Sequence, residues 1–277
     1  MHLSCYLVAL LAAPLHVFLS AAVADDSHAW PTARYNAQRN AFSPATLDPA
    51  RLAPAWEYRT ANPPSPAWHG PAKWDAYSDV RMHSMRNYDE VPQLVGAGGR
   101  IYFGSSVDDA VTCLDAATGQ EAWSFFAKGP VRIAPTYHEG RIYFGSDDGC
   151  AYCVDAADGS LLWKFRPQPP ERLLINNGRF ISPAPIRSGV AVSEGTAYFA
   201  ASLLPWSKSY LCAVDARTGK TTADHHYVRP LENMTFEGPL AVSPRLVIAP
   251  QGRVPPLLFS RRTGKHLGGL DGGGGSF

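Results

Sequence analysis

Two motifs that return in the same order at one spacing constrain this chain more than any other feature. Arg100-Ile-Tyr-Phe-Gly-Ser105 comes back as Arg141-Ile-Tyr-Phe-Gly-Ser146. Behind each copy lies a second motif, Leu114-Asp-Ala-Ala-Thr-Gly-Gln-Glu-Ala-Trp123 and then Val154-Asp-Ala-Ala-Asp-Gly-Ser-Leu-Leu-Trp163. A third copy is legible at Val214-Asp-Ala-Arg-Thr-Gly219, and a more degraded fourth at Phe259-Ser-Arg-Arg-Thr-Gly264. A period of about 40 residues describes one supersecondary unit stacked on its own copies, because so short a unit cannot bury its apolar face alone.

Within each period the pattern predicts four short strands. In the second, Ile133 to Tyr137 is followed by a Glu139-Gly140 turn, Ile142 to Gly145, and a turn at Asp147-Asp148-Gly149. Ala151 to Asp155, the turn Ala157-Asp158-Gly159 and Leu161 to Phe165 complete it. Ile, Tyr, Phe, Val and Trp fill the strands, and Asp-Gly or Thr-Gly pairs close the turns, where glycine takes positive φ without a Cβ clash. The 24 glycines and 24 prolines agree with many short strands joined by turns. Repeated four-stranded units predict an all-β β-propeller; a sandwich or a β-solenoid is the architectural alternative.

The pattern Asp-Ala-x-Thr-Gly-x-x-x-Trp behind Tyr-Phe-Gly-Ser resembles the pyrroloquinoline-quinone (PQQ)-like β-propeller repeat. That repeat occurs in quinoprotein alcohol and glucose dehydrogenases, in BamB-like assembly lipoproteins and in many exported bacterial proteins. The resemblance runs from about Trp30 to Phe277 and is specific for the fold rather than for an activity. It implies structural roles for Asp115, Asp155 and Asp215, for Gly119, Gly159 and Gly219, and for Trp56, Trp123 and Trp163, the tryptophans docking against neighbouring blades. At the corresponding later positions stand Ala223 and Gly268, so docking is expected to be less regular there. The stretch from Trp30 through Arg39 and on to Trp56-Glu-Tyr-Arg59 resembles the family's lead-in to the first blade, with Trp56-Glu-Tyr-Arg59 aligned on Trp163-Lys-Phe-Arg166 as an early outer strand.

The resulting organisation is a signal peptide at 1–24, an N-terminal segment with the outer strand of the closing blade at 25–60, and an insertion at 61–91. Blades follow at about 92–129, 132–168, 182–228 and 237–277. The apolar run Cys5 to Phe18 with small residues at Ala22-Val23-Ala24 carries the signal expectation, and places the mature protein in the periplasm or outside the cell. Members of the resembled family carry about seven or eight blades, so four blades ending in Asp271-Gly-Gly-Gly-Gly-Ser-Phe277 are expected to form an incomplete ring, an N-terminal fragment of an exported member. A net charge of +1 gives no reason to expect nucleic acid, and no later stretch is long and apolar enough for a transmembrane segment.

Ligand candidates follow from the geometry of a propeller, whose innermost strands line the axis. Polar residues at their starts are Arg132 before Ile133-Ala-Pro135, Asn176, Asn177 and Arg179 before Ile181-Ser-Pro183, and Arg187. Arg86 and Asp89 of the insertion are candidates at the channel mouth. Converging guanidinium groups suit a carboxylate, sulfate, phosphate or quinone carboxyl group, and the bland reading is a set of arginines that satisfy turn carbonyls or line a wet channel. Cys150-Ala-Tyr-Cys153 lacks the histidine of a haem attachment site, and residues three apart on a strand face opposite ways. Cys113 and Cys153 share a repeat position and are expected in the core; any disulfide among Cys113, Cys150, Cys153 and Cys212 would join neighbouring blades. No catalytic set is legible. The favoured reading is a binding or scaffold module for a protein, saccharide or small anionic ligand, with no cofactor evident. The alternative is part of a quinoprotein dehydrogenase oxidising alcohols or sugars with PQQ and calcium.

Overall fold

A computed structural model describes residues 28–64, 92–168, 171–176, 178–251 and 254–270. The expected signal segment, Arg86, Asp89, Asn177, most of the insertion and the glycine-rich end lie outside the described residues.

The described chain folds as four four-stranded antiparallel sheets, each with its strands in sequence order from one edge to the other. The first blade is β1 (Leu94–Ala97), β2 (Arg100–Ser105), β3 (Ala110–Asp115) and β4 (Glu121–Phe126). The second is β5 (Thr136–His138), β6 (Arg141–Gly145), β7 (Ala151–Asp155) and β8 (Leu161–Phe165). A separate hairpin, β9 (Leu174–Asn176) with β10 (Arg179–Ile181), interrupts the series. The third blade is β11 (Ala191–Ser193), β12 (Thr196–Ala201), β13 (Ser209–Asp215) and β14 (Tyr227–Leu231). The fourth is β15 (Ala241–Val242), β16 (Leu246–Ala249), β17 (Leu257–Ser260) and β18 (His266–Gly269). The first strands β1, β5, β11 and β15 approach one another in turn, which places them at the hub. This is the propeller anticipated from the repeat, present as four blades without a closed ring among the described residues.

Three buried clusters fill the three seams between successive blades. Strand alternation assigns each side chain to a seam: Cys150, Tyr152 and Val154 join the cluster shared with the first blade, whereas Ala151 and Cys153 join the one shared with the third. Cys113, Cys150, Cys153 and Cys212 are buried free thiols, so the four act as small core side chains.

The repeated tryptophans lock these seams by one geometry. Trp123 Nε1 donates to Ala156 O at 3.1 Å and Trp163 Nε1 to Ala216 O at 2.9 Å; Trp56 Nε1 reaches Ala116 O at 3.0 Å ahead of the first blade. Each indole lies flat on the glycine of the turn it crosses. A Cβ on Gly119, Gly159 or Gly219 would stand 2.6, 2.7 or 2.7 Å from ring carbons, and these glycines have φ of +71°, +75° and +68°. The aspartate of the same turn organises it. Asp115 Oδ1 accepts from the N–H groups of Ala117 and Thr118 and from the Thr118 hydroxyl, with Asp155 and Asp215 in the same place.

The third seam position departs from the sequence alignment. Trp123 pairs across the sheet with Cys113 and Trp163 with Cys153; the matching residue of the third blade, Ala213, pairs with Tyr227 rather than with Ala223. A longer turn between β13 and β14 pushes the docking residue four positions on. Tyr227 covers Gly264 there, and Arg229 Nε donates to Thr263 O at 2.8 Å.

The first part of the N-terminal segment, from Trp30 to Arg39, crosses the hub. Trp30 bridges Gly96 on β1, Tyr137 N donates to Pro31 O on β5, and Val242 N on β15 donates to Ala37 O. Arg39 is buried within this strap, with φ of +60°. Its Nε donates to Leu240 O at 2.8 Å, and its Nη1 to Thr32 Oγ1 at 2.8 Å and Ala33 O at 2.6 Å. Burial among neutral acceptors lowers its pKa to about 10.

Candidate functional site: the loop end of the propeller

In an antiparallel four-stranded blade the second-to-third strand loop and the connector to the next blade emerge at the same end. On this chain that end carries Arg132, Asn176, Arg179 and Arg187. Asp147, in the loop between β6 and β7, is fully buried and stands between two of them. Arg132, from the connector between blades one and two, donates through Nε to Asp147 Oδ2 at 2.8 Å. Arg187, from the connector between blades two and three, donates through Nε and Nη2 to Oδ1 and Oδ2, both at 2.8 Å. Burial alone would raise the Asp147 carboxyl; Arg187 and then Arg132 outweigh it and hold it below the usual carboxylate range. The backbone repeats the tie, because Asp147 N donates to Pro130 O and Ser182 N donates to Asp147 O.

Asp148, beside it and equally buried, faces outward along the blade. Its carboxylate accepts from the Tyr152 hydroxyl and from Cys150 N at 2.9 Å, and Lys164 Nζ lies 3.4 Å away and over the Tyr152 ring. Arg166 Nη1 donates to Asp148 O at 2.7 Å. Burial, then Asp148, pushes the Tyr152 phenol up, and burial followed by the same carboxylate takes the Cys150 thiol to about 12. The thiol is therefore inert at neutral pH.

Asn176 and Arg179 are not on an inner blade strand. They face each other across the β9–β10 hairpin, and Arg179 reaches back to the first blade, bonding Asp109 and the Val107 carbonyl in the β2–β3 loop. Burial raises the Asp109 carboxyl against the pull of Arg179. The structure thus brings Arg132 and Arg187 together on one carboxylate and sets Arg179 on a neighbouring loop. Sequence reasoning missed Asp147, Asp148 and Arg39. Ser146-Asp-Asp-Gly149 reads locally as a solvated turn, and only two adjacent acids between two connector arginines hinted otherwise.

The same end also carries apolar side chains in water. Phe126 closes β4, Ile175 and Phe180 are cross-strand neighbours on the hairpin, Trp206 is in the β12–β13 loop and Val254 in the β16–β17 loop, all exposed. Trp206 is the most open, at 77%.

A calcium–quinone pair needs carboxylate and amide oxygens free to ligate the metal. The described residues do not fit it: both oxygens of Asp147 are taken by guanidinium groups, and no three His, Cys, Asp or Glu side chains gather to hold a metal among the described residues. His225 and His226 lie in the turn before β14, with ring centroids 4.4 Å apart.

Comparison with known proteins places the chain. The family model described as outer membrane protein assembly factor BamB, a PQQ-type repeat model, matches residues 74–267. The chain belongs to that family, as the repeated motifs implied. Among solved structures, the quinohemoprotein alcohol dehydrogenase from Comamonas testosteroni aligns with a TM-score of 0.61 at 15% identity, covering 90% of this chain and 42% of that one. The quinohemoprotein alcohol dehydrogenase ADHIIG from Pseudomonas putida HK5 aligns at 0.49 and 16% identity, over 66% of this chain and 34% of that one. BamB from Moraxella catarrhalis aligns at 0.34 and 16% identity, over 61% and 60%. The likeness to the Comamonas enzyme is one of fold, and the chain spans less than half the length of either dehydrogenase. No curated protein matches it. Among the described residues no helix is long and apolar enough to cross a membrane.

Proposed function

We propose that this chain is a binding or scaffold module of an exported protein, taking a protein partner on its loop end. The observation that carries this reading is the coincidence of a rigid frame with exposed apolar anchors. Phe126, Ile175, Phe180, Trp206 and Val254 share the end that Asp147 staples together. Aromatic anchors over a preorganised frame are what a protein interface draws its energy from, and a small anion would gain little from five apolar side chains. The half-buried Asn176 and Arg179 border this surface, and Arg132 and Arg187 are buried in the frame beneath it; Arg86, Asp89 and Asn177 lie outside the described residues. The apolar run at the amino terminus supports a periplasmic or secreted location. Membership of a family described as an assembly factor is in keeping with a protein partner.

The test is site-specific photo-crosslinking in cells that export the chain. A crosslinker at Trp206 or Phe180 should trap a discrete protein adduct, whereas one at Leu161, exposed at the opposite end of the second blade, should not. Adducts from Leu161 alone would overturn the proposal. In parallel, the full chain is titrated with PQQ and calcium. Saturable quinone absorbance with dye-linked alcohol or sugar oxidation would instead establish the quinoprotein dehydrogenase reading.

A further inference from the structure

The end opposite the loops carries a second site, at the seam between blades three and four. The backbone supplies an internal control there. In each of the first three blades, the residue after the turn aspartate donates its N–H to a glycine carbonyl in the turn between the first two strands. These bonds are Ala116 to Gly99, Ala156 to Gly140 and Ala216 to Gly195. In the fourth blade the same bond runs from Arg261 N to Arg245 O at 2.9 Å. Two positions that are glycine and alanine three times over are therefore both arginine in this blade. Arg262 follows, where the first two blades have Ala117 and Ala157.

These arginines surround an open pocket of about 450 Å³, with the buried Tyr198 at its floor and Glu194 and His225 on its rim. That volume lies within the range of small-molecule sites. Arg261 belongs to the wall. It lies over the Tyr198 ring, its Nε donates to Tyr198 Oη at 3.0 Å, and its Nη2 pairs with Glu194 at 3.2 Å. Glu194, the one acid on the rim, is thereby engaged. Arg245 and Arg262 are exposed and make no side-chain bond among the described residues. The seam also lacks the indole lock of its predecessors: the Tyr227 hydroxyl that replaces it is buried with no hydrogen-bond partner among the described residues.

We infer that this pocket binds a small oxyanion, a carboxylate or phosphate compound, held by Arg245 and Arg262 against the Arg261–Tyr198 wall. Guanidinium forks suit both anions, and charge-assisted bonds of this kind carry the affinity of such sites. At the corresponding positions of the first three blades, glycine and alanine stand in place of Arg245 and Arg261.

The test is calorimetric titration of the full chain with inorganic phosphate and, separately, citrate. Wild-type protein should bind at least one of them saturably, and which one identifies the class. Arg245→Ala with Arg262→Ala should weaken that binding at least about tenfold, the loss expected when charge-assisted hydrogen bonds go. Arg217→Ala removes a cation at the position equivalent to Arg262 on the third blade and should leave binding unchanged. An unchanged melting temperature in the double variant separates lost binding from lost fold. Absence of saturable binding to both probes, undiminished binding in the double variant, or an equal loss in Arg217→Ala would each overturn the inference.

Discussion

The first two seams of this propeller and the third solve the same packing problem differently. Between blades one and two, and between two and three, a tryptophan lies on a left-handed glycine and its N–H reaches an alanine carbonyl. Between blades three and four a tyrosine takes the ring position, with its hydroxyl unsatisfied, and arginine replaces the alanine. The regular seams satisfy the buried polar atom of their docking ring, and the irregular one does not. The arginine-lined pocket lies at the irregular seam.

The sharpest way to break the regular pair is to remove the carboxylate that both connectors share. Asp147→Ala takes from Arg132 and Arg187 the buried carboxylate they share, and deleting one partner of a buried ion pair costs about 3–5 kcal/mol. Chemical denaturation should report it, with both connectors losing protection in hydrogen exchange. Next comes the glycine under the indole. Gly219→Ala would place a Cβ 2.7 Å from the Trp163 ring at φ of +68°, so overpacking of about 1–3 kcal/mol adds to backbone strain. Gly195→Ala is its comparator: at φ of +71° with no atom within 4 Å, it should cost only backbone strain of about 1 kcal/mol. Equal losses would mean that the indole–glycine contact does not define the regular seam.

The irregular seam offers smaller effects. Tyr227→Phe removes the unsatisfied hydroxyl and should leave stability unchanged or raise it by up to about 1 kcal/mol. The turn that displaces Tyr227 should respond weakly to pH. His226 Nδ1 accepts from Ala223 N at 3.2 Å, and burial, then His225, lowers its pKa against the opposing pull of Asp215. A histidine with a depressed folded pKa contributes stability that is complete above its unfolded value of about 6.5 and is lost as pH falls toward the folded value. Melting temperatures should therefore drop slightly more between pH 7.5 and 5.5 in wild type than in His226→Gln.

The same contrast explains what was legible in the sequence. Blades one and two were readable residue by residue because both motifs survive in them, with the tryptophan at a fixed distance behind the aspartate. Blade three hid its docking residue because alignment by spacing lands on Ala223, and only cross-strand pairing selects Tyr227. The hairpin at 174–181 leaves no mark in the sequence, because Ile181-Ser-Pro183 imitates Ile133-Ala-Pro135 and makes the residues before it read as a lead-in to an inner strand. Arg132 and Arg187 were found from topology alone. Their shared partner was not, since burial of Asp147 is decided by two connectors arriving from different blades. The hub strap around Arg39 was equally silent, because hydrogen bonds to neutral carbonyls leave no charge pattern to read.

The central claim is that tryptophans one period apart are locked into successive seams through their indole N–H groups. Hydrogen exchange of the indole protons, followed by NMR on protein labelled at tryptophan, tests it directly. Trp123 and Trp163, donating to buried carbonyls, should exchange orders of magnitude more slowly than Trp206, which stands in solvent. Exchange of all three at one fast rate would contradict the stacked-blade account.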